Sequence, residues 1–169
     1  EFRRVLFRSS RGKLYFANVA AQRSAGSLPA LGDAESYGRR GAELAGRHDL
    51  ANAVADFNRA IELSPREPRY LVQRARVRLE RGEDLLARHD LDEAVALKPD
   101  MVEARLARGM VLIADKSFVQ GREDLDAAAH ALPPDAELHY FLATVYAGME
   151  EWQRSREEFD QWIGTHRGD

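Results

Sequence analysis

The chain has 169 residues, 44% hydrophobic and 31% charged, with a formal net charge of −3. That is the composition of one soluble domain, and its charge gives no reason to expect a nucleic-acid partner. It contains no cysteine, which excludes disulfides, thiolate nucleophiles and cysteine-held metals. No run of eighteen apolar residues occurs, so no membrane span is expected. Lys13, Lys98 and Lys116 are the only lysines among 25 basic residues, a bias expected of a GC-rich bacterial genome.

Residues 1–9, EFRRVLFRS, translate GAG TTC AGA CGT GTG CTC TTC CGA TCT, which looks like a sequencing-adapter stretch. They are expected to be an artefact of a metagenomic fragment and are set aside. Residues 10–33 fit no periodic pattern. Within them Lys13–Gln22 reads as a short helix or as the last strand of something upstream. Ser24–Gly32, rich in Ser, Gly and Ala around Pro29, reads as a linker. The natural N-terminus is taken to be missing, so bacterial cytoplasm and periplasm both stay open as locations.

From Ala34 the chain repeats with a 34-residue period: 34–67, 68–101, 102–135 and 136–167. Pro65, Pro99 and Pro133 close the first three units. Small residues recur at the eighth place (Gly41, Ala75, Gly109), the twentieth (Ala53, Ala87, Gly121) and the twenty-seventh (Ala60, Ala94, Ala128). The twenty-fourth place is always large and apolar: Phe57, Leu91, Leu125. Each unit reads as two amphipathic helices. Small residues let the two approach closely, the large residue fills the space between them, and proline ends the second helix. No pair can bury its apolar face alone, so several must stack.

Further along, the fourth unit departs from the pattern, with Trp162 at the twenty-seventh place and Arg167 in place of proline. Either the last helix caps imperfectly or the natural protein continues beyond Asp169; the second is expected, since the start reads as truncated too. The seventh place holds Arg40, Arg74 and Arg108, then Leu142. The twenty-third holds Asp56, Asp90 and Asp124, then Glu158. Either these are solvated charges or they form a ladder of bidentate pairs, for which the planar guanidinium is suited.

No HExxH, GxSxG, GxGxxG or Walker-type loop is present, and no two histidines sit one turn apart on a helix. His139, at the fourth place, is expected to pack. The expectation is a non-enzyme with no cofactor and no metal.

This 34-residue pattern resembles the tetratricopeptide repeat (TPR). The resemblance implies an all-α, right-handed superhelical solenoid of four helix-turn-helix units and a role as a scaffold or adaptor for protein–protein interaction. In that family the first helices line a concave groove for a peptide or helix of the partner. The matching places here are Arg69, Val72, Gln73 and Arg76, then Leu106, Met110 and Ile113, then Tyr140, Phe141 and Thr144. Met110 and Tyr140 are expected to be the most exposed, and Leu14–Val19 is a candidate to fold back into the groove. Chaperone-binding members carry a Lys/Asn carboxylate clamp at the fifth and ninth places of the first repeat. Gly38 and Ala42 stand there, so binding of chaperone tails is not expected. The alternative is an accessory domain of a larger enzyme, such as a bacterial retropepsin-like aspartic protease; the repeats and the tail FDQWIGTHRGD look similar to the arrays attached to such proteases, though no residue here carries that chemistry.

Overall fold

The structure, a computed structural model, describes residues 32–131 and 136–166. The side chains of residues 136–138 and 165–166 lie outside that description, as do residues 10–31, Pro133 and Arg167 with the expectations attached to them.

Among the described residues there are eight helices and no strand. Three of them pack as pairs: α1 (Ala34–Gly46) with α2 (Leu50–Leu63), α3 (Pro68–Glu80) with α4 (Asp84–Leu97), and α7 (Ala136–Gly148) with α8 (Trp152–His166); between them in the chain come α5 (Val102–Ala114) and α6 (Phe118–Ala131). The chain divides at Val111/Leu112 into two compact units, each described by itself.

Local chemistry sets the helix ends. Asp33 caps α1, accepting from the Ser36 amide at 2.7 Å while the Ser36 hydroxyl oxygen accepts from the Asp33 amide. Asp49 caps α2. Pro68 opens α3 at a position where its missing donor costs nothing. After Leu63 and Leu97 the chain leaves the helix, one residue before Pro65 and Pro99.

The turn between the two helices of each repeat is the same structure four times. His48, Gly82, Lys116 and Glu150 occupy the fifteenth place, and all four have positive φ, between 61° and 76°. Their amides, and those of the residues after them, bond back to carbonyls of the preceding helix. Asp49 donates to Leu44, Glu83 to Arg78, Ser117 to Leu112 and Glu151 to Tyr146. This six-to-one bond with a left-handed residue before it is a Schellman cap, which satisfies the helix's orphan carbonyls.

In the first unit the small residues do what their size allows. Ala53, Ala60, Ala87 and Ala94 have no accessible surface. The Phe57 ring lies against Gly41, where an added Cβ would meet it at 3.0–3.2 Å. Phe57 also joins Ala45, Ala53 and Val77 in one cluster; Leu91 joins Ala75, Ala87 and Val111 in the next. Each such large side chain contributes roughly 1.5–3 kcal/mol by burial.

In the second unit Leu125, Ala128, Leu142, Ala143, Val145 and Tyr146 are buried. Ser155, at the twentieth place, donates its hydroxyl to the Ala143 carbonyl at 2.9 Å, so the polar atom is satisfied inside the α7–α8 contact. Trp162 turns back onto Tyr140, ring centroids 5.4 Å apart, and Phe159 meets Tyr140 edge-on at 5.8 Å.

Candidate functional site

The residues assigned to a groove lie on α3, α5 and α7, and the structure does not place them in one environment. On α3, Arg69 is exposed but engaged, with Glu67 at 3.0 Å and Glu35 at 3.4 Å. Its guanidinium is held above its ordinary pKa, first by the hydrogen bond to Glu67. Gln73 and Arg76 are half-buried. Burial pulls the Arg76 pKa down, with Glu80 opposing. Val72 packs against the Leu71–Ala94–Val95–Ala104 and Ala75–Ala87–Leu91–Val111 clusters and belongs to the core.

Met110 was expected to stand open and is instead 4% exposed, with Leu106 and Ile113 at 2%. Helix α5 runs Met110, Val111, Leu112, Ile113 without a polar break, and a helical turn that is apolar on every side is an enclosed one. Tyr140 is half-buried, its ring held by Phe159 and Trp162. Phe141 is half-buried as well; Thr144 is exposed and donates to the Phe141 carbonyl at 2.7 Å.

The fifth place of the first repeat is filled from within. The Tyr70 ring lies on Gly38, closer than a Cβ there would permit, and its hydroxyl sits 3.2 Å from Glu35. Burial and the Glu35 carboxylate raise the Tyr70 pKa from 10.0 to about 12.

Two of the arginines at the seventh place, Arg40 and Arg74, form the expected bidentate pairs, half-buried in the first repeat and buried in the second. Arg40 donates from Nε and Nη2 to the two oxygens of Asp56, at 2.5 and 2.6 Å. Arg74 does the same to Asp90, at 3.0 and 2.6 Å, and Arg78 adds a second donor to Asp90 at 2.7 Å. Asp90 has no exposed side-chain surface and Arg74 only 15%. Arg74 also reaches backwards, donating from Nη1 to Asn58 of the preceding repeat at 2.7 Å; Arg108 lies 3.4 Å from Asp92 in the same sense. Arg74 thus faces polar residues sixteen positions before and after it. The backward partners stand at the twenty-fifth place, where Asn58, Asp92 and Asp126 are all polar, a signal that is indistinguishable in sequence from ordinary surface polarity. Asp124 is buried too, at 2% exposure.

In the second unit Leu142 interrupts this scheme. Asp126, sixteen residues before it, accepts instead from the Tyr146 hydroxyl and from Arg154, both at 2.5 Å. Burial, then Asp126, pushes the Tyr146 pKa up, and the hydrogen bond to Asp126 pushes that of Arg154 up. Glu158, sixteen residues after Leu142, lies 2.7 Å from His139 Nδ1. So His139 packs, as expected, but as the partner of a carboxylate.

Among the described residues no group of three His, Asp or Glu could hold a metal ion, and no helix is long and apolar enough to cross a membrane.

A 105-residue stretch is 30% identical to DnaJ homolog subfamily C member 3 of Mus musculus, covering 62% of this chain and 21% of that protein. The Homo sapiens protein is 29% identical over the same length. The chain spans about a fifth of the length of the curated relatives it matches. No protein-family model matches it. Among solved structures, MamA (41-end) from Desulfovibrio magneticus RS-1 is 19% identical with a TM-score of 0.69, covering 100% of this chain and 98% of that one. TTC0263, a TPR protein of Thermus thermophilus, is 22% identical with a TM-score of 0.66, covering 78% and 73%. The first TPR of Spaghetti (RPAP3), solved with an HSP90 peptide bound, is 18% identical with a TM-score of 0.64, covering 74% and 99%. At these identities the likeness is one of fold. The chain has the tetratricopeptide-repeat fold, all-α and built of helix-turn-helix units.

Proposed function

We propose that the chain is a non-catalytic scaffold that binds a peptide or helix of a partner protein along the first helices of its repeats. The observation that carries this reading is the array itself: pairs with a closed core between their helices and polar, accessible residues left on α3 and α7. Within the first unit the contact residues are Arg69, Gln73 and Arg76; within the second they are Phe141 and Thr144. The like-folded RPAP3 repeat holds a peptide, which supports the class of ligand. A chaperone tail's carboxylate is not the anchor here. Gly38 and Ala42 offer no donor side chain at the clamp places, and the Tyr70 ring fills the space at Gly38. A polar or charged peptide segment suits the surface around Gln73 and Arg76 better, because the apolar residues of these helices are taken up in the core.

The test is site-specific photo-crosslinking with the full chain. A photoreactive residue at Gln73 and, in a second sample, at exposed Arg59 of α2 is irradiated in lysate of the source cells. Labelling of one defined partner segment from Gln73 and not from Arg59 supports the reading. Equal labelling from both removes it.

A further inference from the structure

The second repeat departs from the others at two places that meet in space. The eleventh place holds Leu44, Leu112 and Tyr146 in the other repeats, and Arg78 here. The eighteenth and nineteenth hold Leu85 and Leu86, where no other repeat has two large apolar residues. Arg78 Nη1 donates to the Leu86 carbonyl at 3.3 Å, which sets the guanidinium against the first turn of α4. On that turn Leu85 is 82% exposed and Leu86 51%.

Asp90 does not need Arg78. In the first repeat one arginine, Arg40, satisfies Asp56 through its Nε–Nη2 edge, and Arg74 uses the same edge on Asp90. Arg78 gives Asp90 only its Nη1, so two guanidiniums share one carboxylate and the cluster keeps a surplus positive charge. Among the described residues the Arg78 Nε is buried without a partner. The Nη2 beside it makes no bond either, but it is not closed off. A buried donor left unbonded is costly, and the Nε–Nη2 edge is the one that fits a carboxylate with two parallel bonds.

We propose that this edge, with Leu85 and Leu86 beside it, is a docking site for an acidic side chain flanked by apolar ones in a segment of a partner protein. The carboxylate enters at Nη2 and, with a small shift of the surrounding side chains, takes Nε as its second donor. Its charge offsets the surplus on the arginines, and the flanking apolar side chains cover the two leucines. The site stands apart from Gln73 and Arg76 and does not depend on their role.

The test follows arginine Nε–H and backbone amide resonances of the full, isotope-labelled chain as the capped peptide Leu-Leu-Glu-Leu is added. Leu-Leu-Gln-Leu and acetate are the controls. Arg78→Lys, which keeps a charge beside Asp90 but has no fork, identifies the Arg78 Nε–H resonance by its loss. The Glu peptide should shift that resonance and the Leu85 and Leu86 amides saturably, with a Kd on the order of 1 mM. The Gln peptide and acetate should each bind at least about tenfold more weakly. Arg78→Lys should weaken the Glu peptide about tenfold and Leu86→Ser about threefold, with undisturbed α1–α2 amides showing that the chain is folded. The comparison of the two peptides on the parent chain needs no variant. No shift at Arg78, equal binding of the Gln peptide or of acetate, or full affinity kept by Arg78→Lys overturns the proposal.

Discussion

The ring of Tyr70 rests on the backbone of Gly38, thirty-two residues away, and leaves no room there for a methyl group. Tyr70 is 5% exposed and its hydroxyl is tied to Glu35, so the ring has little freedom to yield. Gly38→Ala gains about 1 kcal/mol of helix propensity. It should nevertheless lower stability by roughly 1–3 kcal/mol through overpacking. Gly41→Ala meets Phe57 only at 3.0–3.2 Å and should come out near neutral. Chemical denaturation of the two variants side by side measures the difference.

Asp90 accepts from two arginines, and this asymmetry orders the mutational costs. Asp90→Leu leaves two guanidiniums in a closed site and should cost about 3–5 kcal/mol. Arg74→Leu leaves Asp90 with Arg78 and should cost about 1–3 kcal/mol. A double-mutant cycle on the pair should give coupling above about 0.5 kcal/mol; a smaller value makes it an ordinary surface pair.

Alkaline pH should weaken the first unit through Tyr70. A phenol whose pKa is raised on folding, here from 10.0 to about 12, favours the folded state fully below pH 10 and loses that contribution between pH 10 and 12. Tyr70→Phe keeps the ring and removes the ionisation. Its stability should fall less than that of the parent between pH 9 and 11, followed by circular dichroism in denaturant.

Ala87 has no exposed surface and lies in the cluster with Ala75, Leu91 and Val111. Ala87→Leu should cost roughly 1–3 kcal/mol. Unchanged thermal unfolding would mean that the twentieth place tolerates bulk.

The repeat was legible in the sequence because close approach of two helices leaves a trace in residue size. Ala53, Ala60, Ala87 and Ala94 announce it one residue at a time. The ladder was half legible: Arg74 and Asp90 vary together and face each other, whereas Asn58 looks like any surface polar residue until the preceding helix is in place. The groove was least legible. Exposure depends on what neighbouring helices cover, so Met110 at a groove place is buried, Val72 is core, and Tyr140 is taken up by Phe159 and Trp162. Nor does spacing within one repeat reveal that Tyr70 from the second fills a place in the first.

The left-handed residue in each turn has a practical consequence. Only the second repeat uses glycine there; His48, Lys116 and Glu150 hold the same conformation at a cost of roughly 1 kcal/mol each. Replacing the three by glycine should therefore raise stability in small, nearly additive steps, since each turn closes on its own helix and the sites are at least thirty-four residues apart in the chain. That reserve is an experimental tool. A background carrying the three glycines can absorb a damaging change at Arg76 or Phe141 and stay folded, so that a lost partner is read as lost recognition and not as a lost fold.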